Sequence, residues 1–421
     1  MPQGSRGRQA GRGRRPPPRR STVSVRRSTV RIDRETALWI REGHPWIFRD
    51  SLRSSPKALE GKTGLVEVVD RTGAFVGRGY FVKEGAIAVR VLSVQERPSS
   101  VTGIVDQAVE KALARRRLLP ADLTAYRMLN GDGEGLSGLV VDRYGCHAVM
   151  YQYSEEAEFL VQPVCAALGR QTGLSGIYLQ RRYRGATPDE VREAAQLVWG
   201  IKADVEQIVS EDGLQYWVDV RAPLSIGLFS DLREVRALVR RLASGARVLN
   251  LFSHTGAFSV AAAAGGATRV VSVDLSRRYQ AVAQKNFRLN HLDLRPHAFV
   301  SGDVSGYLAQ AASRRSERFD LVVVDPPTFS AGRKKAFSVG RDYPELIRAV
   351  LSVLAPGGLI LAASNTRKLS EPEFHRLLAE GGAMAGRPLV VLGRFGLPLD
   401  FPVPTALFDG HYLKAVLCQA Q

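Results

Sequence analysis

The chain has 421 residues, 45% of them hydrophobic and 24% charged, enough for two or three folded domains and too apolar for a wholly disordered protein. Its net charge is +18, and nine arginines without a single acid fall in the first 27 residues, a balance that selects polyanionic partners, nucleic acid first among them. The longest apolar run, near Phe258 to Gly266, is too short to cross a bilayer; Cys146, Cys165 and Cys418 show no metal-ligand spacing and support neither a zinc site nor a disulfide framework, so a cytoplasmic protein without metal is expected.

Residues 1–28 read as a low-complexity Arg-rich tail, too polar to bury a core. An organelle transit peptide shares that bias, but Pro16-Pro17-Pro18 breaks the amphipathic helix such peptides need. Residues 29–98 predict a short helix and then three strands of a small barrel, GLVEVVD, GAFVGRGYFV and IAVRVLS. His44-Pro45-Trp46-Ile47-Phe48 is an aromatic corner, read as packing rather than base stacking. An α+β middle domain follows over 99–225: a helix near 104–118, strands LSGLVVD and HAVMYQY, a helix over 155–172, and a hairpin turning at Glu211-Asp212-Gly213. Over 226–421 the pattern changes. Strands at 248–252, 269–274, 297–300, 319–324 and 359–363 alternate with helices near 256–264, 276–291, 304–312 and 342–354. That rhythm predicts an α/β doubly wound sheet whose ligands bind at the carboxyl ends of its strands, with PLVVLGRF and HYLKAVLCQ closing one edge.

Those carboxyl ends carry the chemistry. The first strand leads into Phe252-Ser253-His254-Thr255-Gly256, whose single glycine argues against a pyrophosphate cradle. The second ends in Asp274, 18 residues after Gly256, near the spacing at which an acid meets ribose hydroxyls. The third leads to Asp303, able to accept from an adenine amino group. The fourth, FDLVVV, ends in Asp325, which Pro326 holds extended while two prolines forbid an immediate helix. Singly, Asp274 or Asp303 reads equally well as a helix cap; as an ordered set, the acids outline a site for an adenosine-bearing cofactor without phosphates.

VLNLFSHTGAFSV, SVDLS, SGDV and DPPTFS resemble the successive motifs of class I S-adenosylmethionine-dependent methyltransferases, and more narrowly the large-subunit rRNA methyltransferases of the RlmI and RlmK type. GHPWIF with the β segment after it is similar to their PUA RNA-binding domain, and MLNGDGEGLSGLVVDRYG and IGLFSDLREVR to their linking region. The resemblance implies a Rossmann-like methyltransferase domain, S-adenosylmethionine as cofactor, and ribosomal RNA or a pre-ribosomal particle as partner. It implies that Phe252, Ser253 and Gly256 line the methionine end of the cofactor, that Asp274 holds the ribose and Asp303 the adenine, and that Phe229, Asp231 and Arg233 cover it. His254 departs from the aromatic residue many relatives carry.

Chemistry narrows the methylated atom. Forming 5-methylcytosine requires a thiolate to attack C6. RlmI-like enzymes supply that cysteine where this chain has Ser364-Asn365-Thr366. DPPTFS and the Ser-Asn pair match RlmK, a 7-methylguanine enzyme. Guanine N7 already carries an in-plane lone pair, so the site need only align it with the methyl donor. Asp325 is then the base-reading carboxylate beside the cofactor, Phe329 a stacking platform for a flipped base and Asn365 a further polar contact. Arg181, Arg182 and Arg184, with Arg333, Lys334 and Lys335, are candidate phosphate contacts, although charge runs are usually solvated faces.

Overall fold

Asp33 accepts the Thr36 backbone N–H at 2.8 Å and so starts helix α1 (Arg34–Arg41). In the computed structural model, which describes residues 28–53, 64–183, 195–204, 206–223, 225–314, 318–327, 329–330 and 337–421, this helix packs on a five-stranded sheet. Its strands are β1 (Ser28–Arg31), β2 (Trp46–Phe48), β3 (Leu65–Val69), β4 (Phe75–Phe81) and β5 (Ile87–Ser93), in the order β1-β3-β4-β5-β2. Strands β1 and β2 were not expected; at four and three residues they are too short to show alternation. Within β4 a side chain at Gly79 would place its Cβ 2.1 Å from the Arg90 carbonyl oxygen, so the close approach of β4 to β5 requires glycine there. The aromatic corner packs on itself, with the His44 and Trp46 rings 5.9 Å apart, and also reaches outward: Trp46 Nε1 donates to Asp132 in the next unit at 2.9 Å.

That unit comprises α2 (Val101–Arg116), β6 (Ala125–Asn130), β7 (Leu139–Tyr144), β8 (His147–Gln152), α3 (Glu158–Gln171), β9 (Gly176–Arg181) and β10 (Gln196–Gly200). Both helices cover one face of the sheet β10-β9-β8-β7-β6, with Cys165 fully buried among them. The hairpin β11 (Gln207–Glu211) and β12 (Leu214–Val218) turns through Asp212 at φ 53° and Gly213 at φ 70°, the paired left-handed residues of a two-residue turn. Its Val209, Tyr216 and Val218 join one continuous core with Tyr144 and Val149 before it and Val260 and Phe287 after it. No seam in the packing falls at residue 225.

The third unit runs α4 (Arg233–Leu242), β13 (Arg247–Leu251), α5 (Ala257–Ala264), β14 (Arg269–Asp274), α6 (Arg277–Leu289), β15 (Ala298–Ser301), α7 (Val304–Ser313), β16 (Phe319–Val324), a short pair β17 (Phe329–Ser330) and β18 (Phe337–Ser338), α8 (Val339–Leu351), β19 (Leu354–Ser364), α9 (Glu371–Met384), β20 (Leu389–Phe395) and β21 (Lys414–Ala420). The sheet order is β15-β14-β13-β16-β19-β21-β20; the first five strands are parallel and β21 is antiparallel to both its neighbours. Val322 and Val324 enter the core beneath α8 and α9, while Leu321 and Val323 enter the opposite core beneath α4 and α5. A strand buried on both faces explains the unbroken apolar run before Asp325. Chain order reverses between β13 and β16, the switch point where ligands of such sheets lie.

The segment between β20 and β21 returns to the middle unit. Asp400 is buried and takes three partners: the Arg233 guanidinium at 2.6 Å, the Arg127 backbone N–H at 2.8 Å and, through its own carbonyl oxygen, Arg116 at 2.9 Å. Asn130 adds a bond to the Pro402 carbonyl oxygen at 2.8 Å.

Candidate active site

A cavity of about 1260 Å³ opens at the carboxyl edge of the parallel strands, and Phe229, Asp231, Phe252, Ser253, Asp274, Asp303, Asp325 and Asn365 all line it. The loop after β13 is wound unusually: Phe252 (φ 56°), His254 (φ 46°) and Gly256 (φ 75°) are left-handed at alternate positions. For Phe and His that geometry costs about 1–2 kcal/mol each, tolerated where the surroundings fix it. They do so here. The Ser253 N–H donates to the Val273 carbonyl oxygen at 3.0 Å, the Thr255 hydroxyl to that of Gly227, and Asn286 Nδ2 to that of Thr255 at 2.9 Å. A Cβ on Gly256 would meet that of Ala283 at 2.6 Å. Gly256 thus shapes the loop from behind and is not itself a wall of the cavity.

Each acid has a distinct setting. Asp274 accepts the His254 N–H at 2.8 Å on one oxygen and the Ser276 N–H at 2.8 Å on the other, which fixes the carboxylate with lone pairs left over for a diol. It is no helix cap: Ser276 takes that role for α6. Asp303 does cap α7, accepting the Gly306 N–H at 2.9 Å through one oxygen. Asp325 leaves β16 at the floor of the cavity; burial, then the charge of Asp231, push its carboxyl up to about 7. Asp231, also raised by burial, accepts the Tyr412 hydroxyl at 3.0 Å. His254 is driven down to about 4 by burial and is neutral at physiological pH; its ring lies 4.2 Å from Tyr279 and 5.3 Å from Phe229, filling an aromatic place.

The structure corrects one expectation. Arg233 does not face the cavity, because its guanidinium is buried against Asp400; Arg236, a turn further along α4, lines the wall instead, held by Glu211 at 2.6 and 2.7 Å. Arg181 is satisfied away from the cavity by Gln196 and Glu158, whereas Arg182 lines an adjoining cleft. The backbone of Phe329 pairs with Ser338 in the β17–β18 pair, while its side chain, like Arg184, Arg333, Lys334 and Lys335, lies outside the described residues.

Three supports went unread in the sequence. Gln280 Nε2 bridges Ser253 Oγ, the Ser272 carbonyl and the Val300 carbonyl at 3.1–3.2 Å, tying three strand ends together. Asn286 holds Thr255 and also accepts the Trp217 N–H at 2.8 Å. Tyr343 is fully buried in α8, and its hydroxyl donates to the Ala363 carbonyl oxygen at 3.0 Å, with that of Val324 at 3.4 Å, directly behind Asn365 and Asp325. None of the three cysteines lines the cavity. Cys418 pairs across the sheet with Ile360, four residues before Ser364, and burial raises it to about 11; Cys165 is raised to about 12.

Residues 159–417 match the family model of S-adenosylmethionine-dependent methyltransferases, and residues 30–94 that of a PUA-like domain. Ribosomal RNA large subunit methyltransferase I of Yersinia pseudotuberculosis serotype O:1b (strain IP 31758) is 31% identical over 388 residues, 89% of this chain and 95% of its own. YwbD of Bacillus subtilis (strain 168), whose name also refers to ribosomal RNA large subunit methylation, is 32% identical over 382 residues, 90% of this chain and 96% of its own. The crystal structure of SMU.776 complexed with SAH has a TM-score of 0.82 at 28% identity, covering 93% of this chain and 100% of that one.

Proposed function

The chain belongs to the S-adenosylmethionine-dependent methyltransferases with a PUA-like domain, and from that premise we propose that it methylates a base of large-subunit ribosomal RNA at a nitrogen, guanine N7 foremost, without a covalent enzyme adduct. The names of its relatives support the RNA. The observation that supports the nitrogen is the lining of the cavity: Asp325 and Asn365 stand on it and none of the three cysteines does.

The residues present suit the family's cofactor. Asp274, with both oxygens anchored, would hold the ribose, Asp303 the adenine amino group, and the Phe252–Gly256 loop the methionine end, with Phe229 and Asp231 covering it. When bound, S-adenosylmethionine supplies an electrophilic methyl group. The chain's own part is positioning: Asp325, as a carboxylate, accepts from the N1–H and N2–H₂ edge of guanine, Asn365 adds a polar contact, and Phe329 a stacking face. No proton need leave N7 in the transfer, so no general base is asked of the site.

Mass spectrometry of nucleosides from rRNA incubated with the protein and labelled S-adenosylmethionine tests this. Labelled 7-methylguanosine that disappears with Asp325→Ala is the expected result. Labelled 5-methylcytidine overturns the nitrogen assignment and keeps the family; no label in any rRNA overturns the substrate.

A further inference from the structure

A second cleft, of about 680 Å³, adjoins the cofactor cavity and shares Ser225, Phe229, Asp231 and Asn365 with it. All three units build it: Trp46 and Arg90 from the first, Arg127, Tyr153 and Arg182 from the second, Arg367 and Tyr412 from the third. Its acids are already engaged. Asp132 accepts from Trp46 and pairs with Arg90, Asp142 pairs with Arg127, and Asp231 accepts from Tyr412. Arg127 is further fixed over the Phe401 ring at 4.2 Å, so its charge is spent within the protein. Arg367 differs. It is exposed, stands over the Tyr412 ring at 5.8 Å, and has no carboxylate partner among the described residues. It also sits two residues after Asn365 on the loop leaving β19. Tyr153, with 49% of its surface exposed, lines the same cleft as Arg127, Arg182 and Arg367.

We propose that this cleft is a subsite for the RNA nucleotide next to the target base, with Tyr153 as stacking face and Arg367 on the intervening phosphate. The inference rests on the reading of RNA as substrate and adds where the strand runs: from the cofactor cavity past Asn365 into the seam between the three units. Aromatic faces interleaved with guanidiniums are the chemistry that takes single-stranded nucleic acid, with stacking for the base and cation for the backbone. A phosphate bridging two bases lies between their sites, and Arg367 lines the second cleft two residues beyond Asn365, which lines both.

The test is binding, independent of turnover: fluorescence anisotropy of a short labelled single-stranded RNA across a salt series, with calorimetry of S-adenosylmethionine alongside. Arg367→Ala is expected to weaken RNA binding about tenfold and reduce the slope of log affinity against log salt by about 0.7. Arg367→Lys should restore the slope. Tyr153→Ala should weaken binding about tenfold with the slope unchanged. Cofactor affinity should stay at the wild-type value throughout. RNA affinity unchanged in both alanine variants overturns the subsite, as does a parallel loss of cofactor affinity, which would make these residues scaffold. A wrong target base leaves these readouts standing, so failure of the nitrogen assignment is distinguishable from failure of the subsite.

Discussion

Asp325 is a carboxyl group held where it prefers not to ionise. In an unfolded chain it titrates near 3.8, whereas here it titrates at about 7. Between those values the folded protein binds the extra proton, so the stability this provides is complete below about 4 and is lost as pH rises through 7. Asp325→Asn removes that loss: thermal denaturation at pH 8 is expected to show the variant melting a few degrees above wild type, the difference shrinking toward pH 5. Methyl transfer should move the opposite way. Only the carboxylate accepts from both donors of a guanine edge, so wild-type kcat/KM should climb through pH 7, and the variant should be flat and at least ~100-fold lower; a flat wild-type profile would remove Asp325 from this role. At this scale the sequence was legible wherever a side chain follows directly from a strand end, as Asp274, Asp303 and Asp325 do. Arg233 was misread because REVR offers two arginines on neighbouring faces of a helix, and nothing local says which one the Asp400 carboxylate takes.

The loop after β13 and the strands behind it act as elements. Gly256→Ala adds a methyl group 2.6 Å from another and requires φ 75° of an alanine, which should destabilise the protein by roughly 2–4 kcal/mol and abolish cofactor binding, measured by chemical denaturation and calorimetry. Tyr343→Phe is gentler. It removes the hydroxyl that joins the ends of β16 and β19, at about 1 kcal/mol, and should lower kcat several-fold with cofactor affinity unchanged; an unaltered kcat would show that Asp325 and Asn365 hold their positions unaided. Periodicity revealed the alternating strands and helices, because the central strands β13, β14, β16 and β19 are sandwiched between two layers. It did not reveal Gln280, Asn286 or Tyr343, since a buried polar side chain on a helix reads either as core or as surface until the loop it serves is in view.

Over the whole molecule, charge and connectivity set the terms. Deleting residues 1–28 removes nine cations and should weaken RNA affinity with a shallower salt dependence in the same anisotropy experiment; an identical slope would make the tail a bystander. The order of the three units could be read along the chain, but their fusion could not: the hairpin β11–β12 contributes to a core on both sides of residue 225, and long-range packing of that kind leaves no local mark. Asp400 completes the fusion, gripping helix α4 through Arg233 and the middle unit through Arg127 and Arg116, beside the Asn130 bond to Pro402. Mechanically this is a rivet, not a hinge. On the reading that this cleft takes RNA, those bonds set its width when the chain folds, and the strand is the partner that bends to fit.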